Sequence, residues 1–134
     1  MPLIPGLLRT IFFTVLIALF LLGAASVYGV SDEWNGNAAT GFAGGAGTET
    51  DPYLISTAEQ LAYFAGQVNK SSGNNTYAGK YIRLTQDILL NRMNADGTFV
   101  SGSPRAFPSI GSAGKPFLGT FDGNGFEIIG LRKV

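Results

Sequence analysis

Apolar residues recur at helical spacing in one part of the chain. Leu61, Phe64, Ala65 and Val68 stand at positions i, i+3, i+4 and i+7, so a helix would carry all four on one face. The pattern predicts an α-helix over residues 57–69. An apolar stripe must pack against another element, and we expect this helix to cover the end of a sheet.

The start of this predicted helix carries a capping signal. Ser56 stands just before it, and Glu59 follows three residues later. In a capping box the hydroxyl at the first of these positions accepts a backbone N–H, and the acidic side chain at the second accepts the reciprocal bond. We therefore predict that Ser56 and Glu59 cap the helix together.

Short apolar runs on both sides of the helix predict β-strands at residues 53–55, 81–84 and 87–90. The stretch 117–131 alternates apolar residues with residues that favour tight turns. Its turn motif consists of two consecutive signals and contains Asp122, Gly123, Asn124 and Gly125. The chain is thus expected to be mainly β with one α-helix.

The N-terminal part of the chain has the pattern of an export signal. Arg9 precedes an apolar stretch, residues 11–23, and small residues follow it. We assign residues 1–29 to a hydrophobic helix that serves as a signal peptide, cleaved after Ser26 or Gly29, or as an uncleaved anchor. Residues 11–30 carry no charge and are long enough to span a bilayer. Both alternatives place the protein outside the cytoplasm, secreted or held at the cell surface.

The exported part divides into two regions. Residues 30–50 form a lead-in rich in Gly, Ala and Asn, for which we expect an irregular loop. We expect the ordered part to begin at Asp51 and to occupy residues 51–134. Within it, residues 91–107 are polar and unpatterned, and a loop of that length is usually functional or an insertion.

Composition excludes several kinds of chemistry. The 134 residues contain no Cys and no His, so the chain by itself has neither a thiolate metal site nor a Ser–His–Asp or Cys–His triad. The nine acidic and nine basic residues are scattered rather than clustered, which argues against nucleic-acid binding. We predict no catalytic residues and no cofactor.

The remaining candidates for chemistry are the carboxylates Asp87, Asp96, Asp122 and Glu127, since glycan-cleaving enzymes use such groups in pairs. For Asp87 and Asp122 the favoured interpretation is acceptance of backbone N–H bonds at turns. Asp122 with Asn124 also resembles part of a Ca²⁺ loop, but the stretch has fewer carboxylates than such a site needs. No metal site is predicted.

Other side chains suggest surface chemistry. Asn69 and Asn74 begin N-x-S/T patterns, which are glycan acceptors in some exported proteins, although ordinary turn chemistry also explains them. Trp34 and Tyr77 could stack on sugars, but single aromatic residues more often serve packing.

The order of these motifs resembles the opening of bacterial and archaeal surface proteins that carry GLUG-type repeats. The matching residues lie in four phrases: Gly47, Thr48, Asp51, Pro52, Tyr53 and Ile55; Glu59 and Leu61; Asp87, Ile88 and Leu90; and Phe117, Gly119, Phe121, Asp122, Gly123, Asn124, Gly125, Ile128, Gly130 and Leu131.

This resemblance implies the start of a right-handed parallel β-helix, similar to pectin-lyase-like folds, with the α-helix as its cap. It implies a non-enzymatic adhesin or other surface protein whose partner is a cell-surface glycan or a host or cell-surface protein. The alternative is a piece of a carbohydrate-active β-helix enzyme. Relatives of this kind have many more coils, so we expect an N-terminal fragment whose last strand can self-associate through its edge.

Overall fold

A computed structural model describes residues 29–70 and 77–133 of the chain. The predicted leader, apart from Gly29, lies outside these residues, as does Asn74. In the described part, no helix combines the length and the apolar character that a membrane span requires.

The described residues form five short strands and one helix. In chain order these are β1 (Tyr53–Ile55), α1 (Ala58–Lys70), β2 (Tyr81–Leu84), β3 (Ile88–Leu89), β4 (Thr120–Asp122) and β5 (Ile128–Ile129). Each predicted apolar run therefore contains a strand, and the predicted helix is present.

Among these five described strands every pairing of one strand with another is parallel, and the pairings make two ladders. The first has the order β1-β2-β4 and aligns Tyr53, Ile82 and Phe121 in one row. The second pairs β3 with β5 and aligns Ile88 with Ile128. The chain runs through β2 and then β3, and later through β4 and then β5. We call each of these two passes a coil: the first coil is 81–89 and the second coil is 120–129.

Alternation along the strands separates the core from the outer face. In β2, Ile82 and Leu84 are buried, whereas Tyr81 and Arg83 are half-exposed. Successive side chains of a strand point to opposite faces, so the even positions of β2 face inward. Each buried aliphatic side chain contributes about 1.5–3 kcal/mol of transfer free energy, and the inner rows are the main source of stability. Core positions fully buried in this way include Ile55, Leu61, Phe64, Ile82, Leu84, Ile88 and Leu90.

The helix packs its predicted stripe into this core. Leu61, Phe64, Ala65 and Val68 are all buried. Phe64 is the centre of an aromatic cluster, with ring centroids 5.3 Å from Tyr77 and 5.2 Å from Phe117, both edge-on. Edge-to-face contacts of this kind add to the energy of burial.

The helix cap lies one residue later than the sequence predicts. Thr57 Oγ1 accepts the backbone N–H of Gln60 at 3.2 Å, and Gln60 Oε1 accepts the N–H of Thr57 at 3.2 Å. The predicted partners are engaged elsewhere: Ser56 Oγ lies 2.8 Å from Thr85 Oγ1, and Glu59 Oε1 accepts the N–H of Asn35. Two adjacent hydroxyl residues each fit the capping pattern. The contact with Thr85, after β2, directs the Ser56 hydroxyl away from the helix, while the Ser56 N–H donates to Gln60 Oε1 at 2.7 Å.

The lead-in is irregular, as expected. It is nevertheless hydrogen-bonded to the strands, so the ordered part begins before Asp51. Ser31 N–H donates to Asp87 O, and Ser31 Oγ accepts the N–H of Leu89, which fastens residues 30–34 along the outer edge of β3. Trp34 is 6% exposed and its ring lies 5.0 Å from that of Phe107. Further along, Ala43 and Gly44 pair antiparallel with Leu54. The lead-in thus covers one edge of each ladder.

Candidate functional site

The carboxylates that the sequence offers for chemistry serve the turns and the joins between coils. Asp122 ends β4. Its Oδ2 accepts the Arg83 Nε–H at 2.7 Å, and its Oδ1 accepts the Asn124 N–H at 2.8 Å. The hydrogen bond from Arg83, followed by that from Asn124, holds the pKa of the Asp122 carboxyl below its usual value. Asp122 therefore joins β2 to β4 and shapes the turn that follows.

Asp87 and Glu127 meet across the second ladder. Asp87 Oδ1 accepts the Glu127 N–H at 2.9 Å, just before the strands β3 and β5 pair. The Glu127 side chain, just before β5, is exposed. The contact joins a carboxylate to a backbone amide of the next coil, which is a structural use of the carboxylate.

Asp96 is placed apart from the other three carboxylates. It lies at the tip of a hairpin in which Met93 pairs antiparallel with Phe99. Its Oδ1 accepts both the N–H and the hydroxyl of Thr98, which lowers the pKa of the Asp96 carboxyl. All of these partners are local and exposed, so Asp96 holds a surface turn.

The turn motif predicted at residues 122–125 connects β4 to β5. Phe126 N–H donates to Gly123 O at 2.8 Å, and the two central residues, Asn124 and Gly125, have φ angles of 50° and 79°. Positive φ at both central positions defines a type I′ turn, for which Asn-Gly is a favoured sequence. Asn124 Nδ2 also donates to Leu84 O at 3.3 Å, so the turn of the second coil is bonded to the first coil.

Asn91 is the most engaged buried polar residue, and the sequence did not single it out. It is 2% exposed and follows β3. Its Nδ2 donates to the carbonyls of Arg105 and Gly130 at 2.9 and 2.8 Å, and its Oδ1 accepts the Arg105 N–H at 2.7 Å. One amide side chain thereby closes the base of the loop 92–104 and bonds the second coil. In the sequence, an Asn at the end of an apolar run indicates only the start of a loop. Its role depends on Arg105, which the loop brings back beside it.

Asn69, the described residue of the two N-x-S/T patterns, uses its side chain within the fold. Its Nδ2 donates to Ser109 O and its Oδ1 accepts the Gly111 N–H, both at 2.8 Å. Lys115 Nζ donates to Asn69 O at 2.8 Å, where it caps the C-terminal end of α1. The side chain thus fastens the segment 109–115 to the helix.

The two aromatic residues considered for sugar stacking belong to the core. Trp34 and Tyr77 are both buried, which agrees with the favoured interpretation that they serve packing. Burial first, and then the neighbouring phenols of Tyr63 and Tyr53, raise the pKa of Tyr77 to about 12. The neutral phenol is therefore the form that the fold selects.

No set of three or more His, Cys, Asp or Glu side chains within residues 29–70 and 77–133 is grouped so that it could hold a metal ion. The oxygens that suggested a Ca²⁺ loop are used internally, because both carboxylate oxygens of Asp122 accept hydrogen bonds. These side chains hold neighbouring passes of the chain together. Asp122, Asn124 and Asp87 each link the first coil to the second, and Asn91, after β3, bonds Gly130, after β5.

No protein-family model, no curated protein and no solved structure matches this chain.

Proposed function

We propose that the chain is an exported, non-enzymatic surface protein, and that residues 51–134 are the cap and first coils of a right-handed parallel β-helix. The observation that carries this proposal is the use of the carboxylates. Asp87 and Asp122, two of the four candidates for chemistry, bond the second coil to the first. A chain that commits such groups to its own stacking is better suited to a scaffold role than to glycan cleavage.

The parallel register supports the β-helix part of the proposal. Two successive passes of the chain contribute one strand each to the same two ladders, in the order β2-β3 and β4-β5. Parallel strands in one sheet need crossover connections, and these are right-handed in nearly all proteins. Repetition of the same pass builds a stack of coils, and a stack of this kind suits an extended surface stalk or adhesin.

Exposure at the second coil supports binding or stacking at that end. Ile88 is fully buried, whereas its partner in the register, Ile128, is 37% exposed. Leu118 and Leu131 of the same end are also exposed. The lead-in covers the other edge of each ladder, so an added strand would pair with β4 or β5. The partner of this surface protein is then a further strand, a surface protein or a surface glycan.

Export is tested by expressing the full chain in bacteria with an epitope tag after Val134. Added protease should remove the tag from spheroplasts without lysis if the leader is kept as an anchor, and the tag should be found in the periplasmic fraction or the medium if the leader is cleaved. The double variant Leu16→Arg/Leu19→Arg interrupts the apolar stretch, since an Arg at the centre of such a segment costs about 2.5–3.5 kcal/mol, and it should keep the tag inside. The matched variant Leu16→Val/Leu19→Val should behave like the parent chain. A tag protected in spheroplasts of the parent would contradict export.

The absence of catalysis is tested with the purified chain on a panel of acidic and neutral polysaccharides. Unsaturated sugar ends or new reducing ends would identify a lyase or hydrolase and overturn the scaffold proposal. In that case Asp87→Asn and Asp122→Asn would locate the site. The proposal predicts no product from any polysaccharide, together with unchanged chain lengths.

A further inference from the structure

The turn between β4 and β5 contains a dipeptide with its own chemistry. Asn124-Gly125 is exposed, and glycine offers no side chain to hinder its backbone nitrogen. In such a dipeptide the Gly nitrogen can attack the Asn side-chain carbonyl carbon. Gly125 N gives up its proton to solvent, a bond forms between Gly125 N and Asn124 Cγ, the Cγ–Nδ2 bond breaks, and Nδ2 takes up a proton from solvent and leaves as ammonia. Water then opens the cyclic imide to aspartate or isoaspartate.

The folded turn keeps these two atoms apart. Ring closure requires the Gly125 nitrogen to lie beside the Asn124 side chain, and that position is set by the backbone torsion ψ of Asn124. A type I′ turn holds ψ at this position near +30°, which turns the following nitrogen away from Cβ. Three contacts keep the turn closed: Phe126 N–H to Gly123 O, Asn124 N–H to Asp122 Oδ1, and Asn124 Nδ2 to Leu84 O.

We propose that Asn124 is a latent deamidation site, protected while the second coil is docked on the first and reactive when that coil opens. This inference goes beyond the proposed function and holds whether or not the chain is exported. The Asn124 side chain belongs to the reactive dipeptide and also makes the hydrogen bond to Leu84 O that holds the turn on the first coil. Opening of the second coil therefore leads to a permanent chemical change at Asn124.

The product cannot restore the docked state. The lost Nδ2 donated to Leu84 O, and a carboxylate in its place meets a carbonyl oxygen that it cannot bond. The same carboxylate lies next to Asp122, whose Oδ1 accepts the Asn124 N–H, and the like charges repel. In the isoaspartate product the main chain is longer by one methylene, which is incompatible with the turn hydrogen bond from Phe126 to Gly123. Deamidation thus permanently removes contacts that hold this turn on the first coil.

The first experiment needs no variant. The full chain in detergent and the same chain unfolded in urea are incubated at mildly alkaline pH, and peptide mapping by mass spectrometry follows conversion at Asn124. We expect conversion at least about tenfold slower in the folded protein, the factor given by an opening free energy of about 1.4 kcal/mol. Equal rates in the folded and the unfolded protein would overturn the proposal.

The second experiment opens the turn selectively. Asp122→Ala removes the bond to the Asn124 N–H and the contact with Arg83, whereas Asp96→Ala removes a turn carboxylate from the hairpin. Asp122→Ala should accelerate conversion at Asn124 in the folded protein severalfold, and Asp96→Ala should leave it unchanged. Asn35-Gly36, the other described Asn-Gly pair, is the internal reference and should convert at one rate in all three proteins. Equal Asn124 rates in the two variants, with Asn35 unchanged, would contradict the proposed protection.

Discussion

Arg83 Nε donates to Asp122 Oδ2 at 2.7 Å, and this contact joins the middle strand β2 to the edge strand β4 on the outer face of the first ladder. Both side chains are 42% exposed, so water and salt screen the attraction. The position of the Asp122 carboxylate therefore contributes more to the structure than its charge does, because its other oxygen accepts the Asn124 N–H and fixes the turn.

The stability of the fold should fall in acid through Asp122. Its folded pKa is lowered from 3.8, so its contribution is present above that value and is lost as the pH falls through the folded pKa. Urea unfolding between about pH 5 and pH 2 should show this loss, and Asp122→Asn should flatten the curve. An identical acid dependence in Asp122→Asn would show that Asp122 does not cause the loss of stability in acid.

Alkaline pH should act through Tyr77. Because its folded pKa is raised from 10.0 to about 12, the neutral phenol stabilises the fold fully below the unfolded pKa, and this stability is lost as the pH rises toward the folded value. Tyr77→Phe should remove the alkaline loss between about pH 10 and pH 12, and Tyr81→Phe should keep it. The measurement is the midpoint of urea unfolding as a function of pH. If Tyr77→Phe loses stability at alkaline pH as the parent does, another group causes the loss.

Truncation of the buried Asn91 side chain should lower the free energy of unfolding more than truncation of an exposed Asn side chain. Asn91→Ala leaves the Arg105 N–H and the Gly130 carbonyl without their partner, and we expect a loss of about 1–3 kcal/mol in the free energy of unfolding. Asn94→Ala is the matched control, because Asn94 is exposed and should cost less than about 0.5 kcal/mol. Chemical denaturation measures both. A loss at Asn91 no larger than that at Asn94 would mean that the loop base closes without this side chain.

Two glycines separate backbone strain from steric overlap. Gly125 and Gly130 both have positive φ, 79° and 72°, but a Cβ on Gly125 would meet open space, whereas one on Gly130 would lie 2.0 Å from Asn91 O. Gly125→Ala should cost about 1–2 kcal/mol from strain alone. Gly130→Ala should cost about 3 kcal/mol or more, since Asn91 must move. Similar unfolding free energies for the two variants would show that the close approach at Gly130 is absent in solution.

The sequence predicts local structure well where one rule acts alone. The stripe Leu61, Phe64, Ala65 and Val68 predicts the helix correctly, because its period has no competing explanation. The cap is wrong by one residue, because Ser56 and Thr57 both fit the pattern and a contact with Thr85 decides between them.

Features that depend on distant partners could not be predicted. Nothing in the lead-in's composition indicates that Ser31 accepts the Leu89 N–H or that Trp34 packs on Phe107. The same holds for Asn91 and Arg105, which are brought together by the return of a polar loop. The turn motif at Asn124 was predicted from local chemistry, but its bond to Leu84 depends on the parallel register of the ladders.

The stacking of the second coil on the first depends on the parallel pairing of β2 with β4, and pairs of introduced cysteines report that pairing. The chain has no native Cys, and the register places Arg83 beside Asp122 and Tyr81 beside Thr120. Neighbouring parallel strands lie about 4.8 Å apart, within disulfide range, whereas Arg83 and Thr120 are then offset to about 8 Å. Arg83→Cys/Asp122→Cys should oxidise readily to an intramolecular disulfide, and Arg83→Cys/Thr120→Cys should not. An antiparallel arrangement about the Ile82–Phe121 row would reverse the two results and contradict the account.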